Sequence, residues 1–262
     1  MSCVLTNSGV CAIAKFNMAR RGQVMQLALP FQCGWGGARR NAGRKAGPRP
    51  KTLHRARPIH RAWQPVHVTL RARVAPLRSQ FVYPSVRLAL VRATGRAPAQ
   101  FRIVHYSVQR DHVHLVVEAA DKRALSSGVR SVMIRIARYV NDLLGRRGSF
   151  WADRWHGRAL ASPREVRAAI VYVLANFRKH ARRAPRAGID PYSSGPWFDG
   201  WREWRPDSGV PPPLAEHAPL PSEECAETSA CGMRAWFAPQ TWLTRVGWKR
   251  HGLVGVGDAP AH

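Results

Sequence analysis

Apolar and polar residues alternate over Val66-His-Val-Thr-Leu-Arg-Ala-Arg-Val74, which sets Val66, Val68, Leu70 and Ala72 on one side and predicts a first strand. From Val82 to Gly95 the spacing changes: Val86, Leu88, Ala89, Leu90 and Val91 recur at helical intervals, and Gly95 closes the run. Phe101 to Gln109 is a second strand, and Arg110-Asp111 is a tight link into a third that ends at Val116-Val-Glu118. Between Arg123 and Leu144, Leu125, Val129, Val132, Met133, Ile136, Tyr139, Val140 and Leu143 repeat at three and four, as one face of a long helix does. The aromatic stretch Ser149–Leu160 is extended enough for a fourth strand. Ser162-Pro-Arg-Glu165 then opens a last helix, with Ser162 as N-cap, Pro163 at the first position and Glu165 at the third. Six elements in the order strand, helix, strand, strand, helix, strand predict an α+β, ferredoxin-like split βαβ antiparallel sheet, with a C-terminal helix added to it.

Period 2 makes the third strand chemically distinctive. In Gln109-Arg-Asp-His-Val-His-Leu-Val-Val-Glu118, Val113, Leu115 and Val117 face a core, while His112 and His114 share the opposite face, one pleat apart. That spacing suits two ligands of one metal ion. Asp111 and Glu118 flank the pair as alternative ligands, and His105 in the neighbouring strand is a candidate supporting group.

The last helix, expected from Pro163 to about Arg183, gathers Val166, Ala169, Ile170, Val173, Leu174 and Phe177 into one stripe. Tyr172 falls roughly 130° from the centre of that stripe at an α-helical pitch, with Asn176 one turn on and Lys179 beyond it on the same side. Two histidines, an amide and a tyrosine suit metal-assisted attack of a hydroxyl on a phosphodiester, with Lys179 offsetting developing charge. Imidazoles with an amide oxygen and open positions favour Mg²⁺ or Mn²⁺ over a closed zinc site. Tyr139, on the apolar stripe of its own helix, is expected in the core, and His156 in a structural role.

Charge sharpens the choice of partner. Forty-two Lys and Arg against fifteen Asp and Glu give +27, a balance that calls for a polyanion. With no run of about 18 apolar residues the sequence argues against a membrane and for nucleic acid. Residues 1–62 hold no Asp or Glu and mix Arg39, Arg40, Arg44, Lys45 and Arg49 with Gly and Pro, so they are expected to form a disordered basic DNA-binding arm. The folded domain is expected over 63–204, with Trp201 and Trp204 packing its end, and 205–262 as a mostly disordered tail. Five scattered cysteines make neither a disulfide framework nor a zinc site. A cytoplasmic, nucleoid-associated protein is expected, as a monomer or a homodimer.

His112-Val-His114, the segment Tyr139–His156 and Tyr172-Val-Leu-Ala-Asn176 together resemble the single-tyrosine HUH transposases, in particular the REP-associated tyrosine transposase branch. The resemblance spans about Val66 to Arg183. It implies cleavage and rejoining of single-stranded or hairpin DNA, with Tyr172 as nucleophile and His112, His114 and Asn176 as metal ligands. Where many members of that branch have Asn-Pro, this chain has Asn176-Phe177. A non-catalytic nucleic-acid-binding protein using the same sheet face and arm is the alternative from another class.

Overall fold

The computed structural model describes residues 59–74, 76–94, 97–180, 188–214 and 238–259, without the side chains of Lys179 and His180. The arm residues Arg39, Arg40, Arg44, Lys45 and Arg49 therefore lie outside the described residues. The elements are β1 (Val66–Arg71), α1 (Tyr83–Thr94), β2 (Phe101–Val108), β3 (His112–Ala119), α2 (Lys122–Leu143), β4 (His156–Ala159) and α3 (Pro163–Ala175). The strands form one sheet in the order β2-β3-β1-β4, every neighbouring pair antiparallel. That is the ferredoxin-like order predicted from the element sequence.

Local chemistry explains the boundaries. Asp121 caps α2 by accepting from Ala124 N, and Ser162 with Glu165 forms the capping box that starts α3. β4 is shorter than expected because Phe150 and Trp151 anchor the approach to it as a loop. Phe150 is buried, and the Trp151 indole donates to Met133 O at 3.0 Å.

One face of the sheet, with Val68, Leu70, Ile103, Val113, Leu115 and Val117, packs on Val86 and Leu90 of α1 and on Val129, Val132 and Ile136 of α2. Tyr139 lies at the rim of this core, only half-buried, with its hydroxyl accepting from Arg92 at 3.2 Å. α2 and β2 approach closely at Gly128, where a Cβ would fall 2.2 Å from the Phe101 ring.

The other face is less open than the sequence suggests. α3 crosses it, and its apolar stripe joins Val116 and Leu160 to Phe198, Trp201, Leu243, Trp248 and Val254 in a second core. The expectation of a mostly disordered tail over 205–262 is thereby corrected for residues 205–214 and 238–259; 215–237 lie outside the described residues. The physical reason is α3 itself. The short helix α4 (Phe177–His180) continues directly from α3; the stripe would stay wet without a cover, and the single turn α5 (Trp242–Arg245) and a 3₁₀ turn at Gly247–His251 belong to the chain that returns to cover it. Trp201 and Trp204 are buried as expected, whereas Trp197 is 40% exposed. Among the described residues no helix is long and apolar enough to cross a membrane.

Candidate active site

The antiparallel register assembles the site. β1 sets Thr69 opposite His114 and Arg71 opposite His112, so β3's histidines and β1's His67, Thr69 and Arg71 share one face. The His112 and His114 rings lie 4.6 Å apart, edge to face. Tyr172 enters from α3 with its ring edge-on to His114 at 5.1 Å and to His67 at 5.4 Å. Two strands and one helix thus bring a tyrosine and three imidazoles together.

His67 was not among the sequence candidates. It approaches His114 with Nε2 3.3 Å from Nδ1, and Thr69 Oγ1 is 3.2 Å from the same Nδ1. The signal for it was present, since alternation puts His67 on the polar face of its strand, but only the pairing of β1 with β3 shows what it meets. Burial, with the charge of Arg158 second, lowers the pKa of His67 to about 4, so its imidazole is neutral near pH 7.

His112 Nδ1–H donates to Asp111 Oδ1 at 2.7 Å. This bond, against the opposing effect of partial burial, leaves the Asp111 carboxyl below the usual carboxylate range. A carboxylate on Nδ1 orients a histidine to present Nε2 as a ligand. Asp111 is therefore placed to support His112 rather than to replace Asn176.

Asn176 sits at the C-cap of α3, one turn after Tyr172, wholly buried, and neither Oδ1 nor Nδ2 has a hydrogen-bond partner. An unsatisfied amide costs about 1–3 kcal/mol, and a ligand to its oxygen would offset this. The donor set, two imidazoles and one amide, fits a divalent ion with open positions. Among the described residues no group of three His, Cys, Asp or Glu side chains could hold a metal, so no closed site of that kind is present.

The remaining candidates go elsewhere. Glu118, on the histidine face, is 3% exposed and accepts from Gln240 N, Thr241 N and Thr244 Oγ1, with Arg102 Nη1 at 3.5 Å. It ties the returning chain to β3 and is not placed as a ligand. His105 is buried against Ser194 and Phe198, away from the pair. His156 is exposed at the start of β4, opposite Thr69. The side chain of Lys179 lies outside the described residues.

Beside Tyr172 a cleft of about 470 Å³ is lined by His67, Arg158, Arg164, Glu165 and Ala168. Arg158 donates to Glu165 at 2.9 Å. The cleft is cationic at its mouth and reaches the phenol ring.

Residues 86–170 match the family model described as "Transposase IS200 like". The match covers 85 of the 262 residues, and it is this segment that is similar to that family. The matched span contains both members of the histidine pair and ends two residues before Tyr172. Among solved structures, a REP-associated tyrosine transposase bound to a REP hairpin is 20% identical, with 54% of this chain and 82% of that chain covered and a TM-score of 0.43. A Deinococcus radiodurans R1 protein assigned as a transposase is 15% identical, with 42% and 87% covered and a TM-score of 0.29. No curated protein matches significantly.

Proposed function

We propose that this protein is an IS200-like transposase that cleaves and rejoins single-stranded or hairpin-bearing DNA through Tyr172. The observation that carries the reading is the edge-on contact of the Tyr172 ring with His114, on the face that also holds His112 and His67. Tyr172 Oη forms the bond to phosphorus, the bond from phosphorus to the 3′ oxygen breaks, and a phosphotyrosine and a free 3′-OH result. The phenolic proton leaves to solvent through the open side of the cleft, and the departing oxygen takes one from water. Rejoining is the reverse attack by a 3′-OH.

Arg158 and Arg164 at the cleft mouth draw in the phosphodiester and offset its charge. His112, His114 and Asn176 would hold a Mg²⁺ or Mn²⁺ ion, which supplies Lewis-acid polarisation of a non-bridging phosphate oxygen. For His114 this needs the proton on Nδ1, donated to Thr69 Oγ1 or His67 Nε2, leaving the Nε2 lone pair for the ion. A neutral His67 accepts such a bond, whereas a protonated one does not. The family match, the cationic cleft and the net charge of +27 support DNA as the substrate. On this reading the protein works on the nucleoid in the cytoplasm.

The test is to incubate the protein with end-labelled hairpin-bearing strands from the flanks of its own gene, with Mn²⁺ or Mg²⁺, and resolve covalent adducts on a denaturing gel. A metal-dependent adduct lost in Tyr172→Phe supports the reading; an adduct that survives the substitution removes Tyr172 as nucleophile. The rival reading is a non-catalytic DNA-binding protein using the same sheet face and basic arm. Tight binding with no adduct on any flank would select it.

A further inference from the structure

On the same side of the sheet, at its β2 edge, is a second cavity of about 540 Å³ to which no role has yet been given. It originates in an irregularity of β2. Ile103 pairs with Val117 and His105 with Val116, so β2 spends one extra residue, Val104, against β3. The bulge reverses the alternation. Ile103 stays in the core, and His105 turns to the face that carries α3. Residues 192–194 pair with the outer edge of β2 at Tyr106 and Val108, and the cavity lies at Val104 and His105, where that pairing has ended.

The cavity is walled by Phe198 and Trp248, which also pack under α3, and its rim carries Trp197, Asp199, Arg245 and Lys249. Trp197 is 40% exposed, and the Arg87 guanidinium packs over its ring at 5.9 Å from the centroid. His105 Nδ1 is 3.3 Å from Ser194 Oγ, and its ring stands edge-on to Phe198 at 5.1 Å. That leaves the Nε2 edge of the ring for the cavity it lines. Lys249 lies 3.5 Å from Asp199.

We infer that this cavity binds one unpaired nucleobase of the DNA strand, separately from the Tyr172 cleft. An indole at the rim gives a flat stacking surface, an imidazole edge and a carboxylate give hydrogen-bonding groups for the edge of a base, and Arg245 and Lys249 meet the adjoining phosphates. The volume lies in the range of small-ligand pockets, roughly 300–1,000 Å³. A peptide fits the site less well, because the rim is cationic in a chain of net charge +27. His105 and His67 share a row of the register through Val116, two strand spacings apart, roughly 10 Å. Val116 between them is buried under α3, so that helix separates the two sites and DNA engaging both passes around it. The inference rests on the reading of this protein as a single-stranded-DNA enzyme, but its test does not depend on cleavage.

Binding is measured by fluorescence anisotropy on the full chain carrying Tyr172→Phe, using hairpin-bearing oligonucleotides in which each unpaired position in turn is made abasic. The expected result is one position at which base removal weakens binding by about 5–100-fold, the size of one base–aromatic stack. In a further Trp197→Ala variant the same removal changes binding by less than about twofold, because the partner of the base has gone. Trp197 is exposed enough for the variant to fold, which circular dichroism verifies. An abasic penalty of the same size with and without Trp197, at every position, overturns the inference. So does a 5-iododeoxyuridine scan of the same oligonucleotides that cross-links only peptides lacking Trp197. Failure of the Tyr172 adduct assay leaves this result standing, and failure of this test leaves the adduct untouched, so the two readings fall separately.

Discussion

Replacing Glu118 tests whether the carboxylate on the histidine face is structural or catalytic. In the native chain its oxygens accept from Gln240 N, Thr241 N and Thr244 Oγ1 and face the Arg102 guanidinium, both side chains less than a tenth exposed. Among the described residues Arg102 otherwise donates only from Nη2 to Ala99 O at 3.3 Å, and its Nε and Nη1 have no hydrogen-bond partner there. Glu118→Ala therefore strands a buried cation, which costs about 3–5 kcal/mol. It also removes the acceptors that hold the α5 turn. Glu118→Gln keeps one acceptor oxygen and loses the charge, for about 1.5–3 kcal/mol. Urea unfolding at pH 7 measures both, and limited proteolysis followed by mass spectrometry shows whether residues 238–259 become the first site cut. Restoring charge balance with Arg102→Met in the Glu118→Gln background should recover at least half of the loss. Mn²⁺ affinity of Glu118→Gln, by calorimetry, should match the parent. A loss of stability under about 1 kcal/mol for Glu118→Ala with an unchanged cleavage pattern, or a Mn²⁺ affinity that collapses in Glu118→Gln, would refute the structural assignment.

Two further outcomes follow from buried polar groups. Asn176→Leu removes an unsatisfied amide and should raise metal-free stability by about 1–3 kcal/mol in urea while abolishing Mn²⁺ binding; a destabilised variant would mean that the amide is already satisfied. His105, whose pKa burial lowers to about 4 against a smaller raising effect of Asp199, stays neutral in the folded state while the unfolded chain takes up a proton near pH 6.5. Its contribution is complete above pH 6.5 and lost as the pH falls toward 4. About 2 kcal/mol of it goes between pH 7 and pH 5. His105→Gln should flatten the pH dependence of the urea midpoint by that amount, and an unchanged slope would show that His105 titrates normally.

Local pattern carried a great deal. The order of elements, the core face of β1 and β3, the capping box at Ser162 and Glu165, the pairing of His112 with His114 and the displacement of Tyr172 from the apolar stripe all follow from periods of 2 and 3.6 within single segments. The ferredoxin-like sheet followed from that order, because few ways exist to connect six such elements without crossing. Three features were decided only by tertiary structure. His67 meets His114 through the register of strands far apart in sequence, and nothing near His67 encodes that register. The bulge at Val104 moves His105 off the core face by inserting one residue, against a pattern that looks continuous in the chain. The returning segment 238–259, weakly patterned by itself, is ordered because the apolar side of α3 and the Glu118 carboxylate both need covering. Periodicity states which side of a segment is apolar; what lies against that side depends on burial and hydrogen bonding between distant segments, which exist only once the chain has folded.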